Sequence, residues 1–138
     1  MFTELCNKTI TLFNAYVVNE SITWRKTVLN GVFLNSNAQY IQSKTGATVE
    51  TKNLLVIPYR EGYVSPKEWN NMPNDKQTIH WTLGASEKDF YVVGDIDETI
   101  PPYTEKQIKK LYEQYTIKSV DVKPDFDGGI HRFVVMGV

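Results

Sequence analysis

The stretch TWRKTVLNGVFLNSN, Thr23 to Asn37, sets an Asn30-Gly31 pair between two runs rich in β-formers. Asn-Gly accepts the positive φ values of a type I′ turn, so in this setting it is the strongest short-range signal for a β-hairpin. A two-residue loop predicts Leu29 opposite Val32 and Val28 opposite Phe33. Leu29, Val32 and Leu34 then share one face, and Val28, Phe33 and Trp24 share the other. Apolar residues on both faces near the tip demand cover on both sides, from the rest of a barrel or from a partner.

Upstream of the hairpin, Lys8 to Val18 reads as a strand with Ile10, Leu12, Tyr16 and Val18 on one face, which Asn14 interrupts. The Asn19-Glu20-Ser21 break separates the two. Downstream, Ala38 to Lys44, Gly46 to Lys52 and Leu54 to Tyr59 read as further strands, with Pro58 marking an edge or a terminus. Tyr59 to Gln77 looks irregular. Within it Ser65-Pro66-Lys67-Glu68 has the form of a helix start, with a capping serine and proline at the first helical position. Thr78 to Leu83 alternates as a strand would, with Ile79, Trp81 and Leu83 on one face. Phe90 to Val93 is a short strand stopped by Gly94.

A helix is predicted over 104–115. Thr104 can cap it, with Gln107 three residues on, and Ile108, Leu111, Tyr112 and Tyr115 make an i, i+3, i+4, i+7 stripe that should pack on a sheet. Two more strands, Ile117 to Val122 and Ile130 to Val138, flank a turn-rich Pro124-to-Gly129 loop. Several strands, one helix and two strands describe a mainly β, β-rich α+β chain. The expected architecture is a partly closed antiparallel β-barrel or sandwich with one covering helix, as a single domain over 1–138.

Composition narrows the classes. At 138 residues the chain can bury a working core without disulfide or metal. Apolar content of 41% and charged content of 22% are those of a globular protein rather than a disordered or membrane one. A net charge of −1, with basic residues scattered, lacks the concentrated positive surface that phosphate binding needs, so no direct nucleic-acid recognition is expected. Cys6 is the one cysteine, which rules out an internal disulfide and agrees with a reducing compartment. The first residues do not read as a signal peptide, and no apolar run approaches a bilayer span.

No constellation of residues announces chemistry. His80 and His131 have no companion at metal-ligand spacing, so structural roles are the better reading. Asp95, Asp97 and Glu98 form one acidic knot, and Asp125 and Asp127 another. Asp125-x-Asp127-Gly128 lacks the remaining ligands of a calcium loop, and such residues commonly start turns. Cys6 has only Lys8 as a basic neighbour, no serine sits in a nucleophile elbow, and no glycine-rich phosphate loop exists. Trp24, Trp69 and Trp81 fit core or hairpin-flanking positions better than a ligand-stacking set. No catalytic, cofactor-binding or metal-binding residues are therefore assigned.

Six stretches in order, TITLFNAY, W-x-x-TVLNGV, NLLVIPY, YVSPKEW, WTLGASEKDFYVVGD and IKSV…HRFVVMGV, cover most of the chain. Together they resemble an uncharacterised family of small proteins encoded in prophages of Gram-positive bacteria. The resemblance implies a gene of the virion-morphogenesis cluster, of the head–tail joining type. It implies a non-enzymatic head–tail connector, head-closure or tail-completion subunit, located in the virion and in the host cytoplasm during assembly. Its partners would be other virion proteins and copies of itself in a ring. The expected interface is the hairpin tip Leu29, Asn30, Gly31 and Val32, with Tyr59, Tyr63 and Trp69 of the long loop. The alternative is a small-ligand or carbohydrate-binding barrel, or a hydrolase using the Asp95/Asp97/Glu98 cluster with a histidine. A pocket with converging carboxylates would favour it.

Overall fold

The structure, a computed structural model, describes residues 5–43 and 46–138, with the backbone alone for residues 36–43 and 46–52. Six strands close into an antiparallel barrel in the order β1-β2-β3-β6-β5-β4. They are β1 (Lys8–Val18), β2 (Ser21–Ser43), β3 (Gly46–Pro58), β4 (Phe90–Val93), β5 (Gln114–Pro124) and β6 (Ile130–Gly137). Three short helices lie between them: α1 (Pro66–Asn70) and α2 (Asn74–Gln77) before β4, and α3 (Glu105–Leu111) after it. Closure settles the expected partial barrel as a complete one.

The alternation of β1 explains how the barrel is built. Ile10 and Leu12 point into the interior, with Leu29 and Val32 of β2, Leu55 and Ile57 of β3, Tyr91 of β4 and Phe133 and Val135 of β6. The other face of β1 is buried too. Phe13 stacks on Phe90 with ring centroids 4.9 Å apart, and Val92, Ile96 and Ile108 complete that outer cluster. Ile108 belongs to α3, so the helix lies across the outside of β1 and β4, as the amphipathic pattern requires. Inside, the Tyr91 hydroxyl donates to Asn53 Oδ1 at 2.5 Å. It passes directly over Gly137, where any β-carbon would collide with it.

Asn30-Gly31 is not a turn. Both residues lie within β2, and the ladder with β1 slips between Lys8↔Val32 and Thr9↔Asn30. Gly31, at φ +72°, is the extra residue of a β-bulge. A bulge and a type I′ turn ask the same thing of the glycine, a left-handed backbone, and pairing with β1 decides between them. Leu29 therefore faces Ile10, not Val32, and Phe33 faces Val56, not Val28. The expected sorting of faces survives, because the bulge shifts the alternation by one residue and keeps Leu29, Val32 and Leu34 on the inner side. Arg60 closes the irregularity by donating from Nη1 to the Asn30 carbonyl at 2.5 Å and from Nη2 to that of Gly31 at 3.5 Å. The real turn is Asn19-Glu20, with φ values of 49° and 67° between the paired residues Val18 and Ser21.

Three further expectations are corrected. The helix ends at Leu111, with Tyr112 as its C-cap and Tyr115 in β5. Its Thr104–Gln107 capping box forms as expected, and Ile108 is buried, but Leu111 is 59% exposed. Thr78 to Leu83 is not a strand, and Trp81 makes only an isolated bridge with Tyr63. The Asn14 side chain takes the place of a neighbouring strand: its Nδ2 donates to the Thr82 carbonyl at 2.8 Å and its Oδ1 accepts from the Thr82 N–H. Trp81 and Leu83 drop into the barrel while Ile79 stays outside. Lastly, the strands expected at Ala38 to Lys44, Gly46 to Lys52 and Leu54 to Tyr59 are parts of two long strands, with Lys44 outside the described residues. β2 and β3 pair from Phe33↔Val56 out to Ser43↔Gly46. β1 stops at Val32 and β6 at Asn53, so the outer part is a two-stranded ribbon beyond the barrel.

Candidate functional site

The residues around the Asn19-Glu20 turn make the most distinctive surface. Val17 and Ile22 are cross-strand partners, both outward-facing, and 57% and 44% exposed. On one side of them lies a depression of about 380 Å³ whose walls include Tyr16, Val17, Trp69, Met72 and Gln77. On the other side lies a shallow groove of about 570 Å³ between Ile22, Thr23 and Trp24 and the segment Ile100-Pro101-Pro102-Tyr103. Ile22 belongs to both, so the two join across it. Tyr103, 40% exposed, carries the apolar surface on to Leu111 at the end of α3. The groove and its continuation to Leu111, apolar with a charged margin (Glu105, Lys106, Lys110), have the character of a docking face, while the depression beyond Ile22 also has polar walls in Asn70, Asn74 and Ser86.

The β1 edge beside this face is held by side chains in place of a strand. β4 pairs with β1 only from Ile10 to Phe13, which leaves the outer edge of Ala15–Val17 without a strand. Side chains replace it. The Ala15 N–H donates to Asp89 Oδ1 at 2.8 Å, Trp69 Nε1 donates to the Ala15 carbonyl at 3.3 Å, and Asn74 Nδ2 donates to the Val17 carbonyl at 2.8 Å. The loop that delivers Trp69 begins at the Ser65 cap, whose hydroxyl accepts from the Glu68 N–H with Pro66 at the first helical position. Gln77 Nε2 then holds the Trp69 carbonyl at 2.9 Å.

Asp89 is fully buried and receives donors only: Ala15 N–H, Asn14 Nδ2 at 3.0 Å, and the backbone N–H groups of Ala85 and Ser86. Burial outweighs these donors and pushes its carboxyl up to about 6. It serves as an anchor of the β1 edge, sealed from solvent.

Of the expected interface, Leu29 and Val32 lie in the barrel core and Trp69 is 1% exposed beneath the docking face, so these three support surfaces without presenting them. Gly31 is the bulge. Asn30 is exposed and bonded to Thr9. Tyr59 is exposed, while Tyr63 packs on Trp81 and Phe133 with centroids 5.2 and 4.4 Å away. The histidines have local partners: His80 Nδ1 lies 2.9 Å from the Lys76 carbonyl, and His131 Nδ1 2.9 Å from Arg132 Nη1. In the acidic knot Asp95 and Asp97 are exposed, and Glu98 accepts from the Tyr112 hydroxyl, which pushes that phenol up to about 12. Cys6 is buried.

Sequence reasoning missed Val17, Ile22, Tyr103 and Leu111. Val17 lies on the face of β1 opposite Ile10 and Leu12, and Leu111 sits on a stripe that looked inward. The one usable signal was Ile100-Pro101-Pro102-Tyr103, an apolar segment with little capacity for regular pairing.

What the geometry defines is a solid, closed six-stranded antiparallel barrel with an exposed apolar face at one end of β2 and a two-stranded ribbon at the other. Residues 5–138 match the model of a family described as "Family of unknown function (DUF6751)", and the chain belongs to that family. No curated protein matches it.

Proposed function

We propose that this chain is a non-enzymatic structural protein of a phage virion, a head–tail connector, head-closure or tail-completion subunit that works by docking on its neighbours. The observation that carries the reading is the placing of two different surfaces at opposite ends of one strand. The docking face adjoins the start of β2 and the ribbon forms its end. At about 3.3 Å per residue, the chain from Ile22 to the base of the ribbon at Leu34 spans at most about 40 Å, and the ribbon runs on beyond that. A subunit that joins others head to tail needs two unlike contact surfaces.

The barrel interior argues in the same direction. It is occupied by Leu, Ile, Val, Phe, Tyr and Trp side chains, with Trp81 and Leu83 stacked into it from the long loop. A ligand-binding barrel or a hydrolase needs an accessible cavity with converging polar groups. Here the perturbed carboxyl of Asp89 faces donors inside the protein. The ordered resemblance of six stretches to virion-morphogenesis proteins supplies the biological setting.

The test is to disrupt the gene in its prophage, induce, and image the products by electron microscopy. Heads and tails should accumulate unjoined, with rescue by the intact gene and poor rescue by Ile22→Lys, which charges the docking face. Normal infectious particles without the gene, or flanking genes unrelated to virions, would overturn the reading.

A further inference from the structure

The turn joining β5 to β6 holds a side chain that the turn itself does not need. Residues 124–129, PDFDGG, are closed by backbone bonds from the Asp125 N–H to the Gly129 carbonyl at 2.7 Å and from the Gly128 N–H to the Asp125 carbonyl at 3.2 Å. The two aspartates brace it further, Asp125 Oδ1 accepting from the Phe126 N–H and Asp127 Oδ1 from the Gly129 N–H. Asp and Gly are residues that such a turn selects, and Phe is not. Phe126 nevertheless stands fully exposed, more so than any other large apolar side chain described. A braced loop that presents one large aromatic has little left to order on binding, which suits an anchor residue.

The same molecule carries a matching recess. The groove of about 570 Å³ between Trp24 and the Ile100–Tyr103 segment is apolar, and Phe126 does not line it. Glu105 on its margin is paired with Lys109 at 2.7 Å. That leaves Lys106 on the groove, and Lys110 on its continuation towards Leu111, without an ion pair among the described residues. The tip has the opposite balance. Asp125 and Asp127 flank the phenyl group and have no cation among the described residues. The bases nearest them along the chain are engaged, Lys123 with Asp121 at 2.6 Å and Arg132 with His131 at 2.9 Å.

We infer that Phe126 of one copy inserts into the Trp24–Tyr103 groove of the next, with Asp125 and Asp127 facing Lys106 and Lys110. The occupant is a second copy because an exposed aromatic with an acidic collar and an apolar recess with a basic margin are both present on this one chain. Phe126 also packs on nothing in its own subunit, so no contact must break first. A knob and a recess on different parts of a subunit make a heterologous contact. Each added copy then presents one free knob and one free recess, and the contact propagates until a ring closes. This inference rests on the ring-forming reading above and supplies a contact for it.

Sedimentation of two variants tests it, and because every altered side chain is exposed, folding is not at stake. Phe126→Ser lacks the knob and keeps the recess. Lys106→Glu/Lys110→Glu keeps the knob and reverses the margin. The intact chain should form oligomers as concentration rises. Phe126→Ser alone should associate about thirtyfold more weakly or worse, as for a lost hot-spot anchor, and the charge-reversed variant should be weakened in the same direction. Mixed in equal amounts, the two should give heterodimers and nothing larger, because one intact knob then meets one intact recess. Association of Phe126→Ser equal to that of the intact chain would overturn the contact. An intact chain that stays monomeric at high micromolar concentration, or a mixture without heterodimers, would overturn the second copy as occupant. Each of these results leaves the virion reading standing, since that reading falls only when normal particles form without the gene.

Discussion

β1 outruns β4 after Phe13, and β2 and β3 together outrun β1 and β6, yet the two overhangs end differently. At Ala15–Val17 an aspartate, a tryptophan and an asparagine from distant parts of the chain meet the exposed backbone groups, and the edge is lost to any partner. In the ribbon each strand has its mate and nothing further among the described residues. Closing the first edge took a long loop with two short helices, a buried carboxylate and a fully buried Trp. The contrast teaches that this chain has the means to blunt an edge and applies them beside the exposed apolar face, where, in the proposed role, a stray strand would compete with a docking partner.

The sharpest way to break that contrast is Trp69→Ala. Loss of a fully buried Trp costs about 3–5 kcal/mol, and it also leaves the Ala15 carbonyl without its donor. A thermal or urea melt should show the loss. The surviving folded protein should self-associate through the uncovered β1 edge, which light scattering would detect.

Asp89 gives the next largest effect, through pH. Its carboxyl is raised from 3.8 to about 6 in the folded protein, so between those values the folded state holds a proton that the unfolded state does not. Stability is full below about pH 4 and falls as pH rises through about 6. The fall is roughly 3 kcal/mol for a shift of about two units. Denaturant midpoints measured across pH 3.5–7 should trace it. Asp89→Asn should flatten the curve and cost about 1–3 kcal/mol at low pH, because the amide leaves donors facing donors. A slope of the opposite sign would mean that the four donors outweigh desolvation.

Two smaller changes probe β2. Gly31→Val should cost about 1–3 kcal/mol, because the bulge holds a positive φ that a β-branched residue resists. Space is not the obstacle: the nearest atom to an added β-carbon is the Cys6 carbonyl at 3.6 Å. Glu20→Gly should stabilise by up to about 1 kcal/mol, since Glu20 has a β-carbon in a left-handed conformation, and the melting temperature should rise slightly. Neither should alter association through Phe126. If Gly31→Val abolished assembly without lowering stability, the bulge would be aiming the ribbon.

Local chemistry was legible wherever it was self-contained. Ser65-Pro66 and Thr104-x-x-Gln107 are caps in the sequence and caps in the fold, and Lys8 to Val18 is a strand in both. What misled was context. Asn30-Gly31 states only that a left-handed residue is affordable, and whether the chain reverses or bulges depends on β1, some twenty residues away. The Asn19-Glu20-Ser21 break did mark the true turn, although glutamate gives no hint of the positive φ it adopts there. The alternation at Thr78 to Leu83 was genuine, but the Asn14 side chain, read as an interruption of its own strand, supplies the partner. The docking face was hardest, because outward Val17 and Leu111 obey no periodicity that separates them from core.

β2 begins at the exposed apolar face and ends in the ribbon as one strand, interrupted only by the bulge at Gly31. A pull between one neighbour held at Ile22 and another held near Ser43 would run along a covalent backbone, not through packed side chains. The ladders with β1 and β3 would be loaded in shear, with their hydrogen bonds strained side by side instead of opened one after another. In the proposed role such a subunit would carry tension along one strand, with the barrel as a collar around it.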